Sequence, residues 1–234
     1  MKQRRLLLLL GAVGIAALAA VVLIVVASNS GGGADDAATT TAAQGSAPSS
    51  SLAGIPQHGD TLGNPNAPAT LVVYEDPQCP FCRRWNVETL PTVLRDYVRP
   101  GRVNLQYRGV EIIGPNSVTG LRAIYGAGKQ NKLWNMVDAF YAHQGAENSG
   151  WITTDLIRRA AREAGADPDQ VVAQMNTAST TAALTRSAKQ AVADRVPGTP
   201  AFIVQRPPAL AQPLSLTSLD PVSFEAALSA ALQQ

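Results

Sequence analysis

The stretch Leu71-Val72-Val73-Tyr74-Glu75-Asp76-Pro77-Gln78-Cys79-Pro80-Phe81-Cys82 carries the reading of this chain. Its first four residues form a short apolar run rich in β-branched side chains, the signature of a buried strand. Pro77 ends that strand. Pro80 then stands in the first turn of a helix, where a missing N–H costs nothing. The helix is predicted to run from Pro80 to about Val98, with a kink at Pro91. Pro100-Gly101 makes a turn, and Val103 to Arg108 alternates as a second strand. Strand, helix and strand in this order favour a parallel pair joined by a right-handed crossover.

Cys79 and Cys82 are the only two cysteines among 234 residues. Two residues apart, they close almost no loop, so a bond between them adds little through chain entropy. Their pairing therefore reads as chemistry. At a helix N-terminus, free N–H groups and the positive dipole end favour a thiolate on Cys79. Cys82 lies one turn deeper and is expected to be less exposed. Cys79 is then the attacking thiol and Cys82 the resolving one. Pro80 and Phe81, between them, are placed to modulate both. A zinc half-site is the alternative, but structural zinc takes four ligands. The remaining candidates are His58, His143 and scattered carboxylates, and both histidines read as exposed residues of no special role. No metal and no organic cofactor are expected.

Outward from the motif, residues 117–195 read as a long helical section. Leu121, Ile124 and Tyr125 repeat at helical spacing, as do Leu133, Trp134, Val137 and Phe140. Thr154 is offered as an N-cap with Gly165 as the stop, Asp167-Pro168 restarts a helix through Met175, and another covers Thr180 to Val192. Val196-Pro197-Gly198-Thr199-Pro200 leads into a strand, Ala201 to Gln205. After a turn at Pro207-Pro208, a weaker strand is predicted around Leu214–Leu216, and Asp220-Pro221 opens a last helix with Phe224, Leu228 and Leu232 on one face.

The formal charge of +2 comes from the leader. With Lys2, Arg4 and Arg5 set aside, 16 basic and 17 acidic residues remain, so no basic nucleic-acid surface is expected. Those three cations precede an uncharged run, Leu6 to Ala27, long enough to span a bilayer. Residues 1–27 are read as a single-pass anchor with a cytoplasmic N-terminus and an extracytoplasmic C-terminal part. A cleaved signal, with Val25-Val26-Ala27 as its end, is the alternative and would leave a secreted or periplasmic protein. Residues 28–54 are low in complexity, with Gly31-Gly32-Gly33, Thr39-Thr40-Thr41 and Ser49-Ser50-Ser51. They are expected to form a flexible tether before a folded domain at 55–234. Both readings of the leader put that domain where disulfides persist.

Leu62-Gly63-Asn64-Pro65-Asn66-Ala67-Pro68, the strand, and Asp76-Pro77-Gln78-Cys79-Pro80-Phe81-Cys82 resemble the start of a DsbA-like thioredoxin-fold oxidoreductase. Val196-Pro197-Gly198-Thr199-Pro200-Ala201-Phe202 is similar to that family's second signature, and the order of the two is the family's order. The resemblance covers about Ile55 to the C-terminus. It implies an α/β thioredoxin fold, a central mixed sheet flanked by helices, with an inserted α-helical domain at about 117–195. It also implies a cis Thr199–Pro200 bond against the cysteines, in a loop that offers backbone to an extended client and blocks metal capture.

Two positions depart from the family pattern. A buried acid, thought to assist proton transfer, stands six residues before the first cysteine in many relatives, where this chain has Val73. Glu75 and Asp76 lie closer, and each reads either as a substitute or as a solvated loop carboxylate. A strongly oxidising relative has histidine where this chain has Phe81, which gives the thiolate neither a hydrogen bond nor a charge, so a less extreme potential is expected. Phe81 and Trp85 read either as an apolar surface for clients or, for Trp85, as helix packing.

The expected function is oxidation of dithiols in unfolded or reduced exported proteins by a monomer, recycled, as the resemblance implies, by a quinone-linked membrane reoxidase. A reductase or isomerase of the same fold, and a non-enzymatic thioredoxin-like binding or chaperone module, are the alternatives. Motif spacing does not fix direction.

Overall fold

The computed structural model describes residues 50–233; the apolar run Leu6 to Ala27 and most of the 28–54 segment lie outside them. Among the described residues no helix is long and apolar enough to cross a membrane. The core begins before Ile55. A 3-10 turn, Ser50–Leu52, seats Leu52 in the core at 4 % exposure, and Arg99 donates to the carbonyls of Ser51 and Ala53.

A six-stranded sheet has the order β1-β2-β4-β3-β5-β6. Its strands are β1 (Gln57–His58), β2 (Thr61–Leu62), β3 (Thr70–Glu75), β4 (Asn104–Gly109), β5 (Ala201–Gln205) and β6 (Gln212–Pro213). β3 and β4 are parallel, as a strand–helix–strand unit requires, and the other pairs are antiparallel. This is a thioredoxin-like mixed sheet with helices on its faces. β3 sits centrally and is buried on both sides. Leu71 and Val73 face the main core with Cys82 and Trp85, while Val72 and Tyr74 face a smaller cluster with Val110 and Ile203.

α1 (Pro80–Arg84) continues through a wide π-helical turn (Trp85–Thr89), α2 (Leu90–Val93) and a second wide turn (Leu94–Val98). The predicted kink at Pro91 thus takes the form of a π-turn just before it. Pro91 has no N–H, and its ring collides with the carbonyl four residues back in a regular helix; widening the turn relieves both problems.

Between β4 and β5 lie α3 (Pro115–Gly128), α4 (Leu133–Ala142), α5 (Thr154–Glu163), α6 (Pro168–Gln174) and α7 (Ala178–Ala193), the inserted helical region. α3 packs on α4 and α6, and α7 lies across α3 and β4. Several boundaries differ from the sequence reading. Thr153, not Thr154, caps α5 by accepting from Leu156 N at 3.2 Å, and Gly165 at φ 71° ends it in the left-handed conformation glycine favours. Thr177 caps α7, which starts two residues before Thr180. The last strand is Gln212–Pro213 rather than Leu214–Leu216. Its proline is tolerated because β6 is an edge, and Leu214 already turns inward. α8 (Pro221–Ala231) closes the chain, with Phe224 and Leu228 buried.

Trp85 is not a client surface. It is fully buried between Phe202 (5.1 Å between centroids) and Phe224 (6.0 Å), joining the helix after the cysteines to β5 and α8. Replacing Trp85 with Ala is expected to cost about 3–5 kcal/mol in urea denaturation; a loss below about 1 kcal/mol would show that this aromatic cluster does not hold the helix to the sheet.

Candidate active site

Cys79 is the N-cap of α1, extended at φ −72° and ψ 118°, with Pro80 as the first helical residue. The turn before it is closed by Cys79 N donating to Asp76 O at 3.0 Å. Cys79 and Cys82 are free thiols, 3 % and 0 % exposed. As a thiol, Cys79 donates from Sγ to the carbonyl of Thr199 at 3.2 Å. The Thr199–Pro200 bond is cis, as is Pro207–Pro208 at the tip of the β5–β6 connection.

The two sulfurs sit in opposite electrostatic surroundings. The Cys82 thiol, donating to Cys79, is the main influence that lowers the Cys79 pKa to about 6. Burial opposes it, while the N–H groups of Cys82 and Phe81 assist. Burial pushes Cys82 well above the ordinary thiol range, and its bond to Cys79 and the negative charge of Glu75 add to the effect. One thiol is thus an anion at neutral pH and the other keeps its proton.

Glu75 and Asp76 are both buried, so neither is a solvated loop carboxylate. Their roles separate. Asp76 accepts from Gln78 N (2.8 Å), Ser117 Oγ (2.6 Å), Ile112 N (2.8 Å) and Ile113 N (2.9 Å), which fixes the turn ahead of Cys79. Glu75 has one oxygen without a partner and the other 3.2 Å from the Tyr141 hydroxyl. Burial lifts its pKa well above the carboxylate range, against the Tyr141 hydrogen bond, and the Cys79 anion lifts it further. Glu75 shares the β3 face of Val73, the face turned to the cysteines, and holds its proton more tightly than an ordinary carboxyl.

The inserted helices secure this turn with residues the sequence reading did not single out. Gln144 donates to the carbonyls of Pro77 (2.9 Å) and Cys79 (3.1 Å). Gln78 donates to Ser117 Oγ (2.9 Å) and accepts from Asn148 N (2.8 Å), and Arg83 Nε donates to Tyr141 O at 2.9 Å. Tyr141 stood on a visible apolar helical face, so a polar-tipped aromatic there was a signal; Gln144 had none. His143, expected to be exposed and inert, is half-buried and 2.7 Å from Glu163. His58 is exposed. Among the described residues no three His, Cys, Asp or Glu side chains gather as a metal site.

Phe81 projects outward at 57 % exposure and borders a groove of about 440 Å³. Val196, Pro200, Ile203, Leu214 and Leu216 line it, beside the Pro200 end of β5.

The two free thiols at the helix N-terminus are thus set against a cis-proline loop on a thioredoxin-like mixed sheet. Residues 57–208 match the family model described as Thioredoxin, and the chain belongs to that family. It is 34 % identical over 105 residues to the "Probable disulfide bond formation protein D" of Bacillus cereus, a match covering 44 % of this chain and 49 % of that protein. The chain thus spans about half the length of that curated relative. Among solved structures, oxidised BdbD from Bacillus subtilis superposes with a TM-score of 0.65 at 18 % identity, over 80 % of this chain and 96 % of that one. A thioredoxin-like oxidoreductase from Silicibacter pomeroyi superposes with a TM-score of 0.58 at 29 % identity, over 79 % and 98 %.

Thiolate absorbance of the reduced protein is expected to appear with a midpoint near pH 6. Because the folded value lies below the unfolded thiol's, about 8.5, this group stabilises the reduced fold most above that pH and loses its effect as pH falls through about 6. Cys82→Ala, which removes the chief donor, moves the midpoint upward; an unchanged midpoint would contradict the assigned cause.

Proposed function

We propose that this chain is an extracytoplasmic thiol–disulfide oxidoreductase that introduces disulfides into exported proteins through Cys79 and Cys82. The observation that carries the reading is the asymmetry of the pair. Cys79, whose thiolate is favoured, meets the Thr199 carbonyl at the rim of an open groove, while Cys82 is sealed behind it.

In the oxidised protein a client thiolate attacks Cys79 Sγ. The Cys79–Cys82 bond breaks, its electron pair leaves on Cys82, and a client–Cys79 disulfide forms. Glu75 is placed to give Cys82 its proton, since both groups sit in the same dry interior. The client's second thiolate then attacks its own sulfur in the mixed disulfide. Cys79 departs as a thiolate, and the client has lost two electrons and two protons. Stabilising the Cys79 thiolate stabilises the reduced protein, so its disulfide is the better oxidant; this supports the oxidase direction over the reductase or isomerase direction. The intact dithiol counts against a purely binding role.

The 196–200 loop would give an extended client backbone partners beside Pro200, and Phe81 gives its side chains an apolar wall. The cysteine pair carries both electrons, so the cycle calls for an external oxidant, which we take to be a quinone-linked membrane reoxidase. The anchor read from residues 1–27 would place the enzyme beside it.

Cys82→Ser in the full chain should accumulate mixed disulfides between Cys79 and exported proteins, recovered in a salt-washed membrane pellet. Cys79→Ser should trap none, and adding Glu75→Gln to the active pair should slow turnover about tenfold or more. Trapping on Cys82 instead would reverse the assigned roles, and recovery as a shortened soluble chain would replace the anchor with a cleaved signal.

A further inference from the structure

Strand β3 sends Glu75 toward the cysteines and its neighbour Tyr74 to the opposite face of the sheet, into the cluster of Val72, Val110 and Ile203. Tyr74 is fully buried. Its hydroxyl donates to Asp194 Oδ2 at 2.7 Å. Asp194 ends α7, and its other oxygen accepts from Gln190 Nε2 at 2.9 Å. Burial first, and the Asp194 carboxylate second, hold the Tyr74 phenol far above its ordinary range, against Arg108 on β4, with Tyr125 on α3 adding a small upward push. Tyr74 therefore remains a proton donor at any physiological pH.

Immediately after Asp194 the chain leaves the helix. Arg195 turns at φ 52°, and Val196 N reaches back to Ala191 O at 2.9 Å. Residues 196–200 then pass over the site and enter β5, where Ala201 stands opposite Tyr74 in the β3–β5 register. Tyr74 thus holds both ends of the 195–200 loop, one through strand pairing and the other through its hydroxyl. Pro197 and Pro200 have no N–H with which the loop could fasten itself. That loop carries the Thr199 carbonyl that meets Cys79, and it lines the groove.

We propose that Tyr74 and Asp194 are positioning residues for extended clients, holding the 195–200 loop in the shape a client backbone must pair with. The inference rests on the oxidoreductase reading. A peptide needs the ordered loop, and pairing with a preformed edge avoids the entropy of ordering it. A small dithiol needs only the sulfur of Cys79. Loosening the loop therefore separates the two substrates.

The test compares oxidation of a two-cysteine extended peptide with oxidation of dithiothreitol by the full chain. Tyr74→Phe and Asp194→Ala are each expected to lower the peptide rate roughly tenfold relative to dithiothreitol, the worth of one hydrogen bond to a charged group. The double variant should be no worse than either single one, because both remove the same bond. Asp194→Asn, whose amide oxygen still accepts from Tyr74, should keep most of the preference. An unchanged peptide-to-dithiothreitol ratio in Tyr74→Phe and Asp194→Ala, even with lowered thermal stability, would reduce the pair to a structural role and overturn the inference. A fall in Asp194→Asn equal to that in Asp194→Ala would also overturn it. A wild-type chain that oxidises neither substrate would remove the oxidoreductase reading and this inference together, whereas an active wild type with an unchanged ratio in the variants removes the inference alone.

Discussion

The antiparallel register of β3 against β5 is the constraint on which the site depends. Tyr74 opposite Ala201 sets Cys79, five residues beyond Tyr74, against Thr199, two residues before Ala201. The two segments are 120 residues apart in the chain and meet only because the strands do. A slip of one residue would exchange the faces of β3. Glu75 would then leave the cysteines and Tyr74 would leave Asp194. The parallel pairing with β4 and the Trp85–Phe202–Phe224 cluster guard that register from both sides of the strand.

Given that register, two chemically identical thiols become different reagents. Cys79 stands where helix N–H groups and the Cys82 thiol converge, and these together outweigh its burial. Cys82, three residues on, has burial and nearby negative charge against it. Glu75 belongs with Cys82: burial makes each hold its proton more tightly than usual. Asp76, its neighbour in sequence, is consumed by four hydrogen bonds that shape the turn. The contrast arises from which face of the strand end each side chain takes.

Much of this was legible in the sequence because it was local. The apolar run 71–74, Pro80 at a helix start and the C-x-x-C spacing each act within a few residues, and they located β3, α1 and both thiols. The limits of β5 were read at the observed residues, since Pro200 ahead of it and Pro207 beyond it punctuate the chain. What could not be read was long-range. Glu75 and Asp76 differ only by strand face and by partners at 112, 113, 117 and 141. Gln144 touches the Cys79 carbonyl across 65 residues of sequence. Helix caps missed by one or two residues show a smaller limit: Thr153 and Thr154 are equal candidates until the backbone chooses. The start of the folded domain, a few residues before Ile55, was not legible either, because Leu52 is a lone apolar residue whose pocket exists only in the fold.

The central claim is that the Cys79–Cys82 disulfide is an oxidant whose strength comes from a stabilised thiolate, moderated by the uncharged Phe81 between the two cysteines. Its most direct test is the reduction potential of the pair, measured by equilibration in glutathione buffers. The account predicts a value between about −120 and about −200 mV. A value near −270 mV, the level of about a thioredoxin-type reductant, would contradict it.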